Sequence, residues 1–321
     1  MLLEQIGSET AGDPMSEHKW IRSSLRNVSK QLKEAGHAVS HTTVGRLLKK
    51  AGYGLHVNAK KEEASANHPQ RDEQFKHIEA QRFEFYGANQ PVISVDTKKK
   101  ELIGNFKQAG QRWSLAGEAV NCHDFASEGL GRAVPYGIYD LRSKEGSVYV
   151  GQSADTAEFA VAALERWWQE AGQSEYSEAQ KLLILADSGG CNGCRVKLWK
   201  VELQRFSDES GLEIVVSHYP TGCSKWNPIE HQLFSPISGN WAGLPLRSFE
   251  IMLGALRGTT TRGGLKVRAE LVEGEFKKGQ KVSPAELREL NIEYGAVCPR
   301  WNYTIRPRGT SPRVVANFSS N

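Results

Sequence analysis

Ser94-Val95-Asp96-Thr97-Lys98 and Ile184-Leu185-Ala186-Asp187-Ser188-Gly189-Gly190 each carry an apolar run onto a carboxylate, where a strand gives way to a loop. A third acid follows in Lys225-Trp226-Asn227-Pro228-Ile229-Glu230-His231, which reads as a helix start. In α/β sheets the carboxyl ends of the strands border the crevice where ligands bind. Asp96, Asp187 and Glu230 gathered there make a hard-oxygen site for divalent cations. Lys98, Lys99, Lys100 and Lys225 stand beside the acids in the chain, placed to hold phosphates. Together these residue types suit metal-assisted phosphodiester chemistry on DNA.

Each acid also has an ordinary reading. Asp187 before Ser-Gly-Gly is a good turn residue, and Glu230, three positions after Asn227, fits the acid of a capping box. At the first turn of a helix Glu230 is favoured in its ionised form by the helix dipole. Ser188, Gly189 and Gly190 leave room for a backbone or ligand to come close.

The chain has 321 residues, enough for a main domain and something more. Its 39% hydrophobic and 24% charged content is ordinary for a soluble globular protein. A net charge of +4 says little, but its distribution says more. From His18 to Lys61 ten Lys or Arg residues face one acid, Glu34, a footprint suited to a phosphate backbone. The five scattered cysteines do not form a secreted disulfide framework. No run approaches a membrane span, and the start is not a signal peptide, so a cytoplasmic setting is expected. Cys191-Asn-Gly-Cys194 has zinc-like spacing, yet His218 and Cys223 are unpersuasive as further ligands, and two incidental loop thiols are the simpler reading.

From His18 the pattern turns helical, with Leu25, Val28, Leu32 and Ala35 on one face and Gly36 closing. Ser40 is an N-cap for a second helix bearing Val44, Leu47, Leu48 and Ala51, ended by Gly52. Two helices across a tight turn, with Arg46, Lys49 and Lys50 exposed, resemble a helix-turn-helix. Residues 1–58 are therefore expected to bind DNA, 59–90 to form a linker helix, 91–305 a catalytic domain and 306–321 a basic tail. Strands are expected over 92–95, 136–141, 147–150, 181–186 and 214–216. A helix capped by Asp155 with Glu158 should follow the third, and one through Val196, Trp199, Leu203 and Phe206 should stop at Gly211. Strands first, then alternating helix and strand, argue α/β with a mixed sheet.

Longer strings carry a resemblance. SVDTKKKELIGNFK (94–107), DSGG (187–190), RVKLWKVELQ (195–204), SKWNPIEH (224–231), TTTRGGLKVRAE (259–270) and WNYTI (301–305) are similar to the Rhodopirellula-type DDE transposases of bacterial insertion sequences. The resemblance implies an RNase H-like mixed sheet flanked by helices, preceded by a small all-α region. It maps a metal-binding catalytic triad onto Asp96, Asp187 and Glu230. It also implies two Mg²⁺ ions, replaceable by Mn²⁺, with double-stranded DNA (transposon ends and target) as partner, a homo-oligomer on DNA, and nucleoid association without a membrane. A metal nuclease of the same fold and a non-catalytic DNA-binding remnant are the other readings. Three departures stand out. The chain starts inside the family pattern, Cys191 and Cys194 replace serines, and Pro236 stands where an aromatic is usual. A proline within the Glu230 helix should kink or stop it, leaving an inactive copy.

Overall fold

The computed structural model describes residues 10–12, 19–21, 23–55 and 68–309. The chain divides into two compact units, Met1–Lys61 and Glu62–Asn321.

In the smaller unit the helices span Leu25–Glu34 and His41–Lys50. Ser24 and Ser40 cap them, each hydroxyl accepting from a backbone N–H three residues on. Gly36 and Gly52 take the left-handed conformation that ends each helix. Val28, Leu32, Val44 and Leu48 form a small apolar core, with Ile21, Val39 and Tyr53 against it. Ahead of the first helix, Lys19–Ile21 (β2) is extended and pairs antiparallel with Thr10–Gly12 (β1), although the sequence pattern reads as helical from His18. Aromatic and β-branched residues such as Trp20 and Ile21 favour extended backbone, and the helix begins only after Ser24.

The larger unit is built on a nine-stranded mixed sheet. Its strands are Val92–Thr97 (β3), Glu101–Ile103 (β4), Gly131–Asp140 (β5), Glu145–Gly151 (β6), Lys181–Asp187 (β7), Glu213–Tyr219 (β8), Lys266–Val272 (β9), Ile292–Tyr294 (β10) and Asn302–Ile305 (β11). They lie in the order β10-β11-β8-β7-β3-β5-β6-β9, with β4 paired to β5. β3, β7 and β8 are mutually parallel, whereas β5 runs against both β3 and β6. A β5–β6 hairpin on one side of β3 and parallel β7 and β8 on the other make the RNase H-like arrangement.

Side chains alternate across the sheet with period two. Ile93, Val95, Ile184 and Ala186 face the helices Ala157–Trp167 and Lys197–Ser210, which contribute Phe159, Leu164, Trp199, Leu203 and Phe206. Val92, Leu183 and Leu185 face the other way, against Ile78 and Phe85 of the helix Arg71–Gly87. The helix expected as a linker thus packs on the sheet of the larger unit. The remaining core joins Ile229, Leu233, Phe234 and Ile237 to Val148, Val150, Leu256 and Val267. The tail read over 306–321 begins anchored, with Arg306 paired to Glu213 and Glu293 and Arg308 to Asp208. Its residues from 310 lie outside the described set. No helix among the described residues is long and apolar enough to cross a membrane.

Candidate active site

Asp96 is the fifth residue of β3 and Asp187 the last of β7. The two strands are hydrogen-bonded in parallel, with Val95 opposite Ala186, so the acids leave neighbouring strands one step further on. Both share the parity of Val92, Leu183 and Leu185, which puts them on one face. Burial raises the pKa of Asp96, and the Asp187 carboxylate beside it raises it further. The backbone N–H of Thr97, donating to Asp96 Oδ1 at 2.8 Å, works the other way. Asp187 is likewise raised by burial, with the Asn227 amide opposing and Glu230 adding to the rise.

The helix that carries Glu230 is tied to the pair through the Asn227 side chain. This side chain is fully buried. Its Nδ2 donates to Asp187 Oδ1 at 3.0 Å and to the Val95 carbonyl at 3.3 Å, while its Oδ1 accepts from Ser94 Oγ. Ser94 Oγ in turn accepts from the Ile229 N–H at 3.1 Å. One Ser–Asn pair therefore ties β3, β7 and the start of the Glu230 helix together. The capping-box reading of Asn227 and Glu230 gives way to this: the Asn227 side chain crosses to Asp187, and only its backbone carbonyl accepts from Glu230 N–H.

The helix itself is unusual. Glu230–Phe234 forms a π turn, closed by Ser235 N–H donating to the Glu230 carbonyl, and Ser235–Asn240 continues as α-helix. Pro236 is the second residue of that segment, inside one unbroken helical run, where its missing N–H falls directly after the π turn. It neither stops nor breaks the element, because the extra residue of the π turn re-phases the hydrogen bonds ahead of it. Phe234 and Leu233 remain buried anchors.

Around the acids, Lys98 is buried with its Nζ 5.0 Å from the centre of the Trp241 ring. Burial lowers its pKa, while the charges of Glu101 and Glu230 hold it up. Lys99 is exposed, and Lys100 pairs with Asp155 at 3.1 Å. Lys225 is exposed, with Nζ 5.9 Å from the Trp226 ring centre. Arg46, Lys49 and Lys50 are exposed on the second helix of the smaller unit.

Sequence reasoning overlooked Asp155 as a site residue. The helix cap is Thr156, whose hydroxyl accepts from Phe159 N–H, so Asp155 is released from the capping role expected of it. Its carboxylate instead accepts from Thr97 Oγ1 at 3.0 Å, next to Asp96. His218 is fully buried, its Nδ1–H donating to the Asp187 carbonyl at 2.8 Å and its Nε2 3.1 Å from the Tyr303 hydroxyl. Burial pushes its pKa down to about 4, so it is neutral at neutral pH. Cys191 lies 3.6 Å from Thr97 Oγ1, and Cys194 packs with Cys298 and Trp301.

Among the described residues, no three His, Cys, Asp or Glu side chains stand close enough to hold a metal ion as they are placed. The donor chemistry nonetheless suits a hard dication. Two partly buried carboxylates oppose each other's ionisation, and the charge of a third reaches both. A cation among them removes that conflict.

A strand-end acid pair under an acid-bearing helix, on a β5-β3-β7-β8 sheet, places the chain in the RNase H-like class. It belongs to the Rhodopirellula transposase DDE domain family, whose description matches residues 1–307. Solved structures similar to it include the Mos1 transposase paired-end complex with left transposon end, at 16% identity and a TM-score of 0.42, covering 71% of this chain and 63% of that one. The Mos1 strand transfer complex is 13% identical with the same coverage and a TM-score of 0.42. The Mos1 mariner paired end complex with Mn is 13% identical over 71% of this chain and 64% of that one, with a TM-score of 0.41. The chain thus spans about 63% of the length of the solved structures it matches. No curated protein matches it.

Proposed function

We propose that this chain is a DNA transposase that cuts and rejoins strands at insertion-sequence ends. The observation that carries this reading is the Asn227 bridge, which holds Asp187 beside Asp96 and starts the helix of Glu230. Family membership supports it. Asp96, Asp187 and Glu230 are the residues to hold two Mg²⁺ ions, with Mn²⁺ as substitute, which supply Lewis-acid stabilisation of the attacking and leaving oxygens. Asn227 orients Asp187, and Asp155 holds Lys100 and Thr97 beside Asp96. Lys98, Lys99, Lys100 and Lys225 grip phosphates near the scissile bond.

Residues 1–58 act as a helix-turn-helix-like module on double-stranded DNA, with Arg46, Lys49 and Lys50 on the backbone. The catalytic part, over 91–305, works on transposon ends and target DNA as a homo-oligomer in the bacterial nucleoid.

Asp96→Asn, Asp187→Asn and Glu230→Gln should each abolish Mg²⁺-dependent cleavage of end DNA with little change in DNA affinity. Transfer of a 3′-OH end into a second duplex is the decisive assay. Cleavage without transfer would make the chain an RNase H-like nuclease. DNA binding with no cleavage in Mg²⁺ or Mn²⁺ would make it a non-catalytic remnant.

A further inference from the structure

A basic cleft of about 490 Å³ lies apart from the acid pair but shares the Glu230 helix. Arg82 enters it from the helix Arg71–Gly87, Lys144 from the β5–β6 turn, and His231 and Gln232 from the π turn, with Thr261 opposite. Among the described residues, no carboxylate lines it. The Nε–H of Arg82 is buried and has no hydrogen-bond partner. The backbone of Lys144 and the ring of His231 are held in place. Lys144 sits at φ 59°, with its N–H donating to the Asp140 carbonyl at 3.0 Å. His231 Nε2–H donates to the Lys225 carbonyl at 2.6 Å, fixing the ring.

We propose that this cleft is a phosphate subsite that grips the DNA backbone flanking the reacting phosphodiester. The lining brings a guanidinium, an ammonium and an amide from three separate elements and no carboxylate, which favours an anionic ligand. A tetrahedral phosphodiester, with two free oxygens, meets a guanidinium and an ammonium at once. Pro228 and His231, both lining the cleft, flank Glu230 in the chain, so the cleft and the third acid share the start of one helix. The identification of the phosphate as DNA rests on the transposase reading, whereas the anion site does not.

The test uses the full chain, with Arg82→Gln and Lys144→Asn alone and combined, Asn being tolerant of positive φ. Duplex DNA binding is measured by fluorescence anisotropy across a salt series. The double variant should bind roughly tenfold more weakly and lose about 0.9 from the slope of log K against log salt. Equal affinity and slope in parent and variants would overturn the proposal. In parallel, melting is followed in inorganic phosphate against chloride at matched ionic strength. Phosphate should stabilise the parent more than the double variant, and equal shifts would remove the anion site. Failure of the parent to bind any duplex would defeat the transposase reading, with the phosphate arm still deciding the cleft. Should the double variant not fold, the surface change Lys144→Asn alone carries both arms, with about half the loss in slope expected.

Discussion

Asn227 and Asp187 meet side chain to side chain, the amide Nδ2 donating to the carboxylate Oδ1 at 3.0 Å across 40 residues of sequence. The same amide accepts from Ser94 Oγ, so the orientation of an acid on β7 depends on a hydroxyl on β3. Asn227→Ala leaves that hydroxyl and the carboxylate without their buried partner. Stability should fall by about 1–3 kcal/mol, and Mg²⁺-dependent cleavage by about 10–100-fold, as for other groups that orient metal ligands. Denaturant melts and single-turnover cleavage at saturating DNA measure the two separately. A variant with normal cleavage would deny Asn227 its positioning role.

Asp96 and Asp187 resist ionisation in the fold. A carboxyl whose folded pKa is raised holds its proton longer than in the unfolded chain. Its ionisation cost is absent below the unfolded value near pH 4 and grows as pH rises toward neutrality. In EDTA the protein should therefore lose stability between about pH 4 and neutral pH. Asp96→Asn should melt higher than the parent at neutral pH and similarly at pH 4. Mg²⁺ should raise the melting temperature of the parent at neutral pH and not that of Asp96→Asn.

Gly137 lies opposite Asp96 in the β3–β5 register. A Cβ there would stand 2.5 Å from the Phe234 ring and 2.9 Å from Ile229 Cδ1, both on the Glu230 helix. Gly137→Ala should destabilise by about 1–3 kcal/mol through overpacking, and should depress cleavage more than DNA binding. Restoring room with Phe234→Leu should recover part of both losses.

Pro236 should be nearly neutral. A proline in a helix interior costs about 3 kcal/mol or more, but here the π turn directly before it already shifts the hydrogen-bond register. Pro236→Ala is expected to change stability by less than about 1 kcal/mol, because the π turn already takes that position out of the regular α ladder. Pro236→Phe is expected to give no gain in cleavage, as followed on end DNA.

Replacing Arg46, Lys49 and Lys50 together by Ala should flatten the salt dependence of DNA binding by about 0.9 for each phosphate that is no longer neutralised. All three are exposed and none belongs to the small core of its unit, so the thermal melt should hardly move. An unchanged slope would reduce this face to a solvated surface.

The acid pair was legible because its grammar is local. Val92–Val95 and Leu182–Ala186 are apolar almost without interruption, and a carboxylate ending such a run points to a strand end beside a crevice. The helix stop at Gly211 was equally readable and is seen at φ 75°. What escaped depends on groups far apart in sequence. Nothing within five residues of Asn227 announces that its amide crosses to Asp187, and its neighbours spell a capping box. Asp155 was misplaced by one position, since Asp155 and Thr156 are both able caps and only the fold gives the role to Thr156. The strand at 266–272 alternates in burial over its first four residues and could have been read from Val267 and Ala269. The strand at 302–305 is too short to announce itself.

That last short strand has a temporal consequence. Tyr303 takes the hydroxyl end of a relay that runs from the Asp187 carbonyl through His218, and it also accepts from the Trp199 indole at 2.9 Å. β11 covers the open edge of β8, so β8 stays unpaired on that side until residues 302–305 have been synthesised. A ribosome that has delivered Asp96, Asp187 and Glu230 has therefore not yet delivered a settled acid site. A chain stopped before Trp301 would leave that edge of β8 open and deprive both His218 and the Trp199 indole of the Tyr303 hydroxyl.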